Sequence, residues 1–338
     1  MNLPVIRELP GIGLSLILAT LAWIAGSAIP IVGGPVFGIL FGIVVGLFHR
    51  PAVFDTGIKF TGKKILQYSI ILLGFEMQFL TILRVGSHSL FIMLFTLSAS
   101  FITGAILARV LSVPGKAAVL ISVGTSICGG SAIAATAPVI QADDDEVAQS
   151  ISTIFLFNII AVFLFPALGR LLGLSDEGFG VWAGTAVNDT SSVVATAASW
   201  SQAVGNNTAL ELATIVKLTR TLMIIPVTFV LAIYTSRKAA HDTAVSNFSF
   251  VKVFPWFVLG FIAAALINSF VPLPAGLAPF LVRAGKFMIV MAMCAIGLST
   301  NIRKLASGGL RPLLLGLSCW FAVAVVSLLV QSIGGQGL

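Results

Sequence analysis

The chain has 338 residues, 58% of them hydrophobic and only 9% charged, with a formal net charge of +7 and a mean hydropathy of +1.08. A water-soluble domain carries about 25% charged residues, so a soluble enzyme or nucleic-acid binder is excluded and no stretch is left over for a soluble domain. Apolar runs of about 20 residues recur without β alternation, which predicts an all-α, polytopic integral membrane protein and not a membrane barrel.

Eleven transmembrane segments are predicted, at 11–30, 33–48, 65–83, 88–111, 117–141, 147–172, 179–202, 209–235, 250–271, 279–300 and 311–333. The first is long for a signal sequence and another apolar segment follows at once, so it reads as a span. The second is rich in glycine (Gly33, Gly34, Gly38, Gly42, Gly46), and small residues four apart suit close helix packing. Glu76 lies late in the third, where a solvated carboxylate at the outer interface is expected, with a proton-coupling role as the lesser reading. The eighth carries Lys217 and Arg220, three residues apart and therefore on one helical face. Cys128, Cys294 and Cys319 fall in apolar segments, without the spacing of a disulfide framework or a metal site. Nothing points to a cofactor.

The fifth and seventh segments share one pattern. Residues 124–141 read GTSICGGSAIAATAPVIQ and residues 184–201 read GTAVNDTSSVVATAASWS. At an offset of 60 positions, Gly124, Thr125, Ser131, Ala135, Thr136 and Ala137 meet identical residues, and Pro166 meets Pro226. Duplicated, interrupted helices at mid-membrane are how many secondary transporters build a substrate site. The broken-helix units are 117–172 and 179–235. A second repeat matches 62–111 with 285–333: Gly62-Lys63 leads to Leu73-Gly74-Phe75, and Gly285-Lys286 leads to Ile296-Gly297-Leu298, at an offset of 223. Together these units form one transporter domain over 1–338 with inverted repeats. At 24 to 25 residues, segments 117–141 and 179–202 are long enough to cross as two discontinuous (broken) helices; if each dips in and returns, nine full spans remain.

A break inside a membrane exposes peptide groups that lipid cannot satisfy. Gly129-Gly130 after Cys128 permits a break, with Ser131 as the expected cap of the following half-helix. Asn188-Asp189-Thr190 offers side chains that bond their own backbone, with Ser191 or Ser192 as cap. A half-helix beginning there points a partial positive charge at the break, which suits a small anion. The expected substrate-binding set is Thr125, Ser126, Cys128, Gly129, Gly130, Ser131, Asn188, Asp189, Thr190, Ser191, Lys217 and Arg220. In it Lys217 and Arg220 attract the anion, with Asp189 as the expected counter-ion and Glu211 as another candidate near the outer end of the span, since intramembrane charges face a partner or an aqueous cavity. The blander readings are tight packing through small residues and a purely structural ion pair.

With the amino terminus placed inside, fourteen of the nineteen lysines and arginines fall on the cytoplasmic side and three outside, which puts the carboxyl terminus outside.

The blocks GTSICGGSAIAATAPVIQA, WAGTAVNDTSSVVATA and TIVKLTR, in this order, resemble those of the sulfate exporter family of YeiH-like conserved bacterial inner-membrane proteins. The likeness spans almost the whole chain. That family is similar in architecture to cation/proton antiporters and anion transporters, which implies inverted repeats and helices crossing at the site. It also implies roles for Cys128, Gly129, Gly130, Ser131, Asp189, Thr190, Lys217 and Arg220. The family often has His-Asp where this chain has Asn188-Asp189.

The function expected is secondary active transport of a small anion (sulfate, sulfite or a sulfonate) by alternating access, as an exporter in a bacterial inner membrane. Coupling to H⁺ or Na⁺ stays open, and a homodimer is an expected assembly. One rival is a cation/proton antiporter exchanging on Asp189. Another is a channel-like or sensor protein. No Ser/His/Asp, Cys/His or HExxH set stands in register for an enzyme.

Overall fold

A computed structural model describes residues 4–29, 33–48, 51–238, 256–274, 276–300 and 309–333, and among these all regular structure is helical. The elements are α1 (Pro4–Ala28), α2 (Gly34–Gly46), α3 (Asp55–Phe60), α4 (Leu66–Leu73), α5 (Phe79–Leu111), α6 (Gly115–Ser126), α7 (Gly130–Thr136) and α8 (Asp144–Leu171). They continue as α9 (Asp176–Ala186), α10 (Thr190–Val204), α11 (Thr208–Leu222), α12 (Ile224–Lys238), α13 (Trp256–Phe270), α14 (Leu277–Ser299) and α15 (Leu310–Ile333). Among the described residues, six stretches are long and apolar enough to cross a membrane: Arg7–Ala28, Phe79–Leu111, Asp145–Leu171, Thr208–Thr235, Leu277–Ser299 and Leu310–Ile333. The helices Gly34–Gly46 and Trp256–Phe270 are shorter and also apolar.

The helices form two groups. In one, α1 to α4 pack with α13 and α14; in the other, α5 to α12 pack with α15. The glycines of α2 make the first group tight. A Cβ on Gly38 would lie 3.0 Å from the Val290 carbonyl, on Gly42 2.3 Å from that of Cys294, and on Gly46 3.1 Å from that of Leu298. This four-residue stripe of α2 runs along a four-residue stripe of α14, with backbone against backbone.

The segments matched at an offset of 223 pack on one another, α4 against α14 and α5 against α15. Their contacts are reciprocal. Gly62 lies against Ala295 and Ile296, while Gly285 lies against Leu72 and Leu73, the residues matching that pair. Self-complementary contact of this kind is what a two-fold axis produces.

Two expectations change. The third segment does not begin after Lys63-Lys64. Helix α3 runs through a π-helical turn at Thr61–Ile65 into α4, and the chain leaves helical geometry only at Met77. Segments 117–141 and 179–202 do not run from one end of the molecule to the other. Each folds back as a hairpin. In the first, Lys116 Nζ donates to the Gln141 carbonyl at 2.6 Å, joining the start of α6 to the chain beyond α7. In the second, Asp176 at the start of α9 accepts from Trp200 Nε1 at 2.7 Å and from Asn206 Nδ2 at 2.6 Å, at the far end of α10. Phe179 stacks on Trp200 across the arms, with centroids 4.0 Å apart. The physical reason is this pairing between the ends of each segment; the first arms, α6 and α9, have 12 and 11 residues, roughly 17 to 18 Å at 1.5 Å per residue.

Candidate functional site

The hairpin tips are built differently at matched positions. α6 stops at Ser126, Ile127 leaves helical geometry at φ −119° and ψ −93°, and Gly129 turns the chain at φ 68° and ψ −130°. α9 stops at Ala186, and Val187 is extended. Asp189 then caps α10, its Oδ2 accepting from Ser191 N at 2.9 Å and from the Ser191 hydroxyl. Asn158 of α8 supports this cap, accepting from Asp189 N at 3.1 Å. The tips touch, because a Cβ on Gly129 would lie 3.3 Å from the Asp189 Cβ.

A helix C-terminus ends in unpaired carbonyls and a partial negative charge. Here two such ends, from α6 and α9, converge, and α11 supplies the cations. Lys217 Nζ donates to the carbonyls of Ile127 (2.7 Å), Val187 (3.0 Å) and Asn188. Arg220 Nε donates to Ser126 O at 2.5 Å, Nη2 to Thr125 O at 2.7 Å, and Nη1 to Thr185 O. Both side chains are 0% exposed. Ile127 and Val187 match at the offset of 60, as do Thr125 and Thr185, so each cation bridges an equivalent pair from the two hairpins. The duplication is broken at the cations themselves: the positions matching Lys217 and Arg220 hold Phe157 and Ile160.

Small residues let α11 come this close. A Cβ on Gly180 or Gly184 of α9 would lie 2.9 Å from the Ala209 carbonyl or 2.8 Å from Val216, respectively. Pro226, lacking an N–H, sits just past the join of α11 and α12 at Met223.

Several sequence expectations are corrected at this level. Asp189 forms no ion pair with Lys217 or Arg220; its carboxylate is spent on the α10 cap, and the cations are spent on carbonyls. Ser131 is exposed and caps nothing; Gly129 holds the N-cap position of α7, without a side-chain bond. Ser191 is not the cap of α10 but the partner of the residue that is. Gly130, Thr190 and Ser191 stay at the tips as the first residues of α7 and α10, and Cys128 is buried and free. Glu76 is not a free carboxylate: Asn207 Nδ2 donates to it, and Lys286 Nζ lies 3.9 Å away.

Sequence reasoning missed the backbone ligands at Ile127, Val187 and Thr185, since carbonyls carry no residue-type signal. It also missed the role of α15, where Ser327 Oγ lies 2.5 Å from Thr185 Oγ1 and the Ala324 carbonyl accepts from Trp182 Nε1 at 3.0 Å.

Half of the buried polar atoms without a partner among the described residues belong to this knot or the Asn158 beside it, namely Thr125 Oγ1, Asn158 Nδ2, and both Nδ2 and Oδ1 of Asn188, which is 1% exposed; the others are on Thr136, Thr153, Thr196 and Trp320. Cavities approach from both ends of α5. One of about 950 Å³ is lined by Arg109, Lys116, Ser122, Gln141 and Tyr234 among others. One of about 470 Å³ is lined by Arg84, His88, Glu177, Val181 and Val216 among others. Along α5 their linings stop at Phe101 and Ile92, roughly 13 Å apart.

A family model described as Conserved hypothetical protein 698 matches residues 10–316. The chain belongs to this family. It is 51% identical to the UPF0324 membrane protein of Fusobacterium nucleatum subsp. nucleatum, over 97% of this chain and 99% of the relative. It is 50% identical to a UPF0324 membrane protein of Streptococcus agalactiae serotype V and 47% identical to that of Streptococcus mutans serotype c, each over 97% of this chain and 98% of the relative. No solved structure gives a significant match. With these relatives and its apolar helices, this member of the family is a multi-pass membrane protein.

Proposed function

We propose that the protein is a secondary carrier for a small anion of the sulfate, sulfite or sulfonate type, working by alternating access in a bacterial inner membrane. One observation carries this reading: two oppositely directed hairpins meet tip to tip on a pair of fixed cations, with a cavity reaching toward the meeting point from each end. Interrupted helices from matched repeats around a central site are the architecture of such carriers. In this reading the hairpins are re-entrant, nine helical spans remain, and the larger cavity, with Arg109 and Lys116 at its rim, faces the cytoplasm. The amino terminus is then inside and the carboxyl terminus outside.

The charge balance favours an anion. Lys217 and Arg220 bring two positive charges. The C-termini of α6 and α9 offset about half a charge each, and Asp189 is partly offset by the α10 N-terminus, leaving the knot about half a unit positive. Direct contacts to the anion come from neutral donors with nothing else to bind, the amide of Asn188 and the hydroxyl of Thr125. Asp189 as an exchanging carboxylate is the weaker reading, because releasing it would uncap α10.

Uptake of radiolabelled sulfate and sulfite into proteoliposomes, with alkylsulfonates as competitors, tests the proposal. Asn188→Ala is expected to abolish flux without lowering the melting temperature. Parental flux in that variant would refute the site, and cation-dependent proton release from the purified protein would favour the antiporter.

A further inference from the structure

We infer that the meeting point of the hairpins is a small-cation cage made of backbone carbonyls, which the side chain of Lys217 fills, so that it takes no metal cation while Lys217 is in place. This goes beyond the transport reading and does not depend on it.

The coordination is that of a bound ion. An ammonium has three donors and no acceptor, and Lys217 Nζ places all three on main-chain oxygens, those of Ile127, Val187 and Asn188. None of these ligands is a carboxylate. Two of them occupy equivalent positions of the two hairpins, so the ammonium sits where the copies are related, as a single shared ion would. Unwound carbonyls and half-helix C-terminal ends are the groups that coordinate a coupling cation in secondary carriers. Here the cation is covalently attached. It arrives from α11 only, since the matching position on α8 holds Phe157. The neighbouring Arg220 takes a second set of carbonyls, those of Thr125, Ser126 and Thr185, so the tips carry no second opening for a mobile ion. With Lys217 fully buried, exchange of this cation for one from solution requires losing the side chain.

Shortening the residue should therefore turn a filled cage into a cation-binding site. Lys217→Ala vacates the ammonium and most of its stem; Lys217→Met keeps a neutral chain in the same space. Melting curves of the purified full-length chain would be recorded in ammonium, methylammonium, sodium or potassium chloride against choline chloride at equal ionic strength. Lys217→Ala is expected to gain roughly 2 °C for each tenfold rise in ammonium or methylammonium once the cage fills. The parent and Lys217→Met are expected to respond no more than they do to choline. The inference is overturned if Lys217→Ala is indifferent to every cation, if none of them recovers a folded Lys217→Ala protein, or if the parent responds as strongly as the variant. Melting reads cation binding alone, so these outcomes are separable from any failure of anion flux.

Discussion

Gly129 and Asp189 are matched residues of the duplicated segment and face each other across the crossing, with a Gly129 Cβ position 3.3 Å from the Asp189 Cβ. The copies have divided the work of one tip. Asp189, at φ −94°, carries the carboxylate that caps α10, and Gly129, at φ 68° and ψ −130°, gives up a side chain to make the turn.

Gly129→Ala is expected to destabilise the protein. That backbone region is essentially reserved for glycine and costs an ordinary residue about 1–3 kcal/mol. The added methyl would also press on the cap. A thermal melt in detergent measures it, and parental stability would argue that the tips do not cross so closely.

Gly42→Val is expected to be worse than its exposure alone would predict. Even a Cβ at this position would lie 2.3 Å from the Cys294 carbonyl, and from the other side a Cβ on Gly297 would lie 2.4 Å from the Ile39 carbonyl. Two backbones cannot both yield, so overpacking costs of about 1–3 kcal/mol or more apply. Gly13→Val, at a glycine with nothing within 4 Å, is the control and should fall within about 1 kcal/mol of the parent, the helix preference of valine over glycine being slight. Equal melting temperatures for the two variants would contradict the packing.

The glycine stripe of α2 was legible because its spacing has one physical use in a helix, close approach. The interruptions were legible for a related reason: Gly129-Gly130 and Asn188-Asp189 are poor helix formers inside apolar runs. Their direction was not. A run of 24 or 25 residues can cross once or turn back, and what decides is pairing between distant residues, Lys116 with Gln141 and Asp176 with Trp200. Lys217 and Arg220 stood out as buried charges, but their partners are main-chain carbonyls, to which side-chain identity gives no clue. The search for a counter-ion therefore settled on Asp189, which is engaged elsewhere.

Asn207 ties the two helix groups together at one end. Its Oδ1 accepts from Lys286 Nζ at 2.5 Å, and its Nδ2 donates to Glu76. Nearby, Gln202 Oε1 accepts from Gly34 N at 2.8 Å. All of these join the α10–α11 region to α2, α14 and the turn that follows α4, so under the proposed carrier function they would hold this end shut. Asn207→Leu is expected to loosen it. A cysteine introduced at Val282, in the cavity beside this link, should then react faster with a membrane-impermeant thiol reagent. The three native cysteines are buried and give little background. Glu76→Gln should have a smaller effect, because it keeps an acceptor for Asn207 and loses only a partly exposed ion pair of about 0–1 kcal/mol. An unchanged labelling rate in Asn207→Leu would mean that the link does not restrain the groups.

Asn158 and Asn188 make a paired test of structure against function. Asn158 Oδ1 holds the peptide N–H of Asp189 at 3.1 Å. Asn158→Leu leaves that partly buried donor without its partner, and a loss of about 1 kcal/mol is expected. Asn188 is buried with neither amide atom bonded. Burying such a group without a protein partner is costly, so Asn188→Leu should hold or raise the melting temperature. A stabilising change at a buried polar residue is what a binding site gives up for its ligand, and the same variant is therefore expected to lose anion flux. If Asn188→Leu melts lower than Asn158→Leu, the Asn188 amide is structural, and the proposed anion site at Asn188 is refuted.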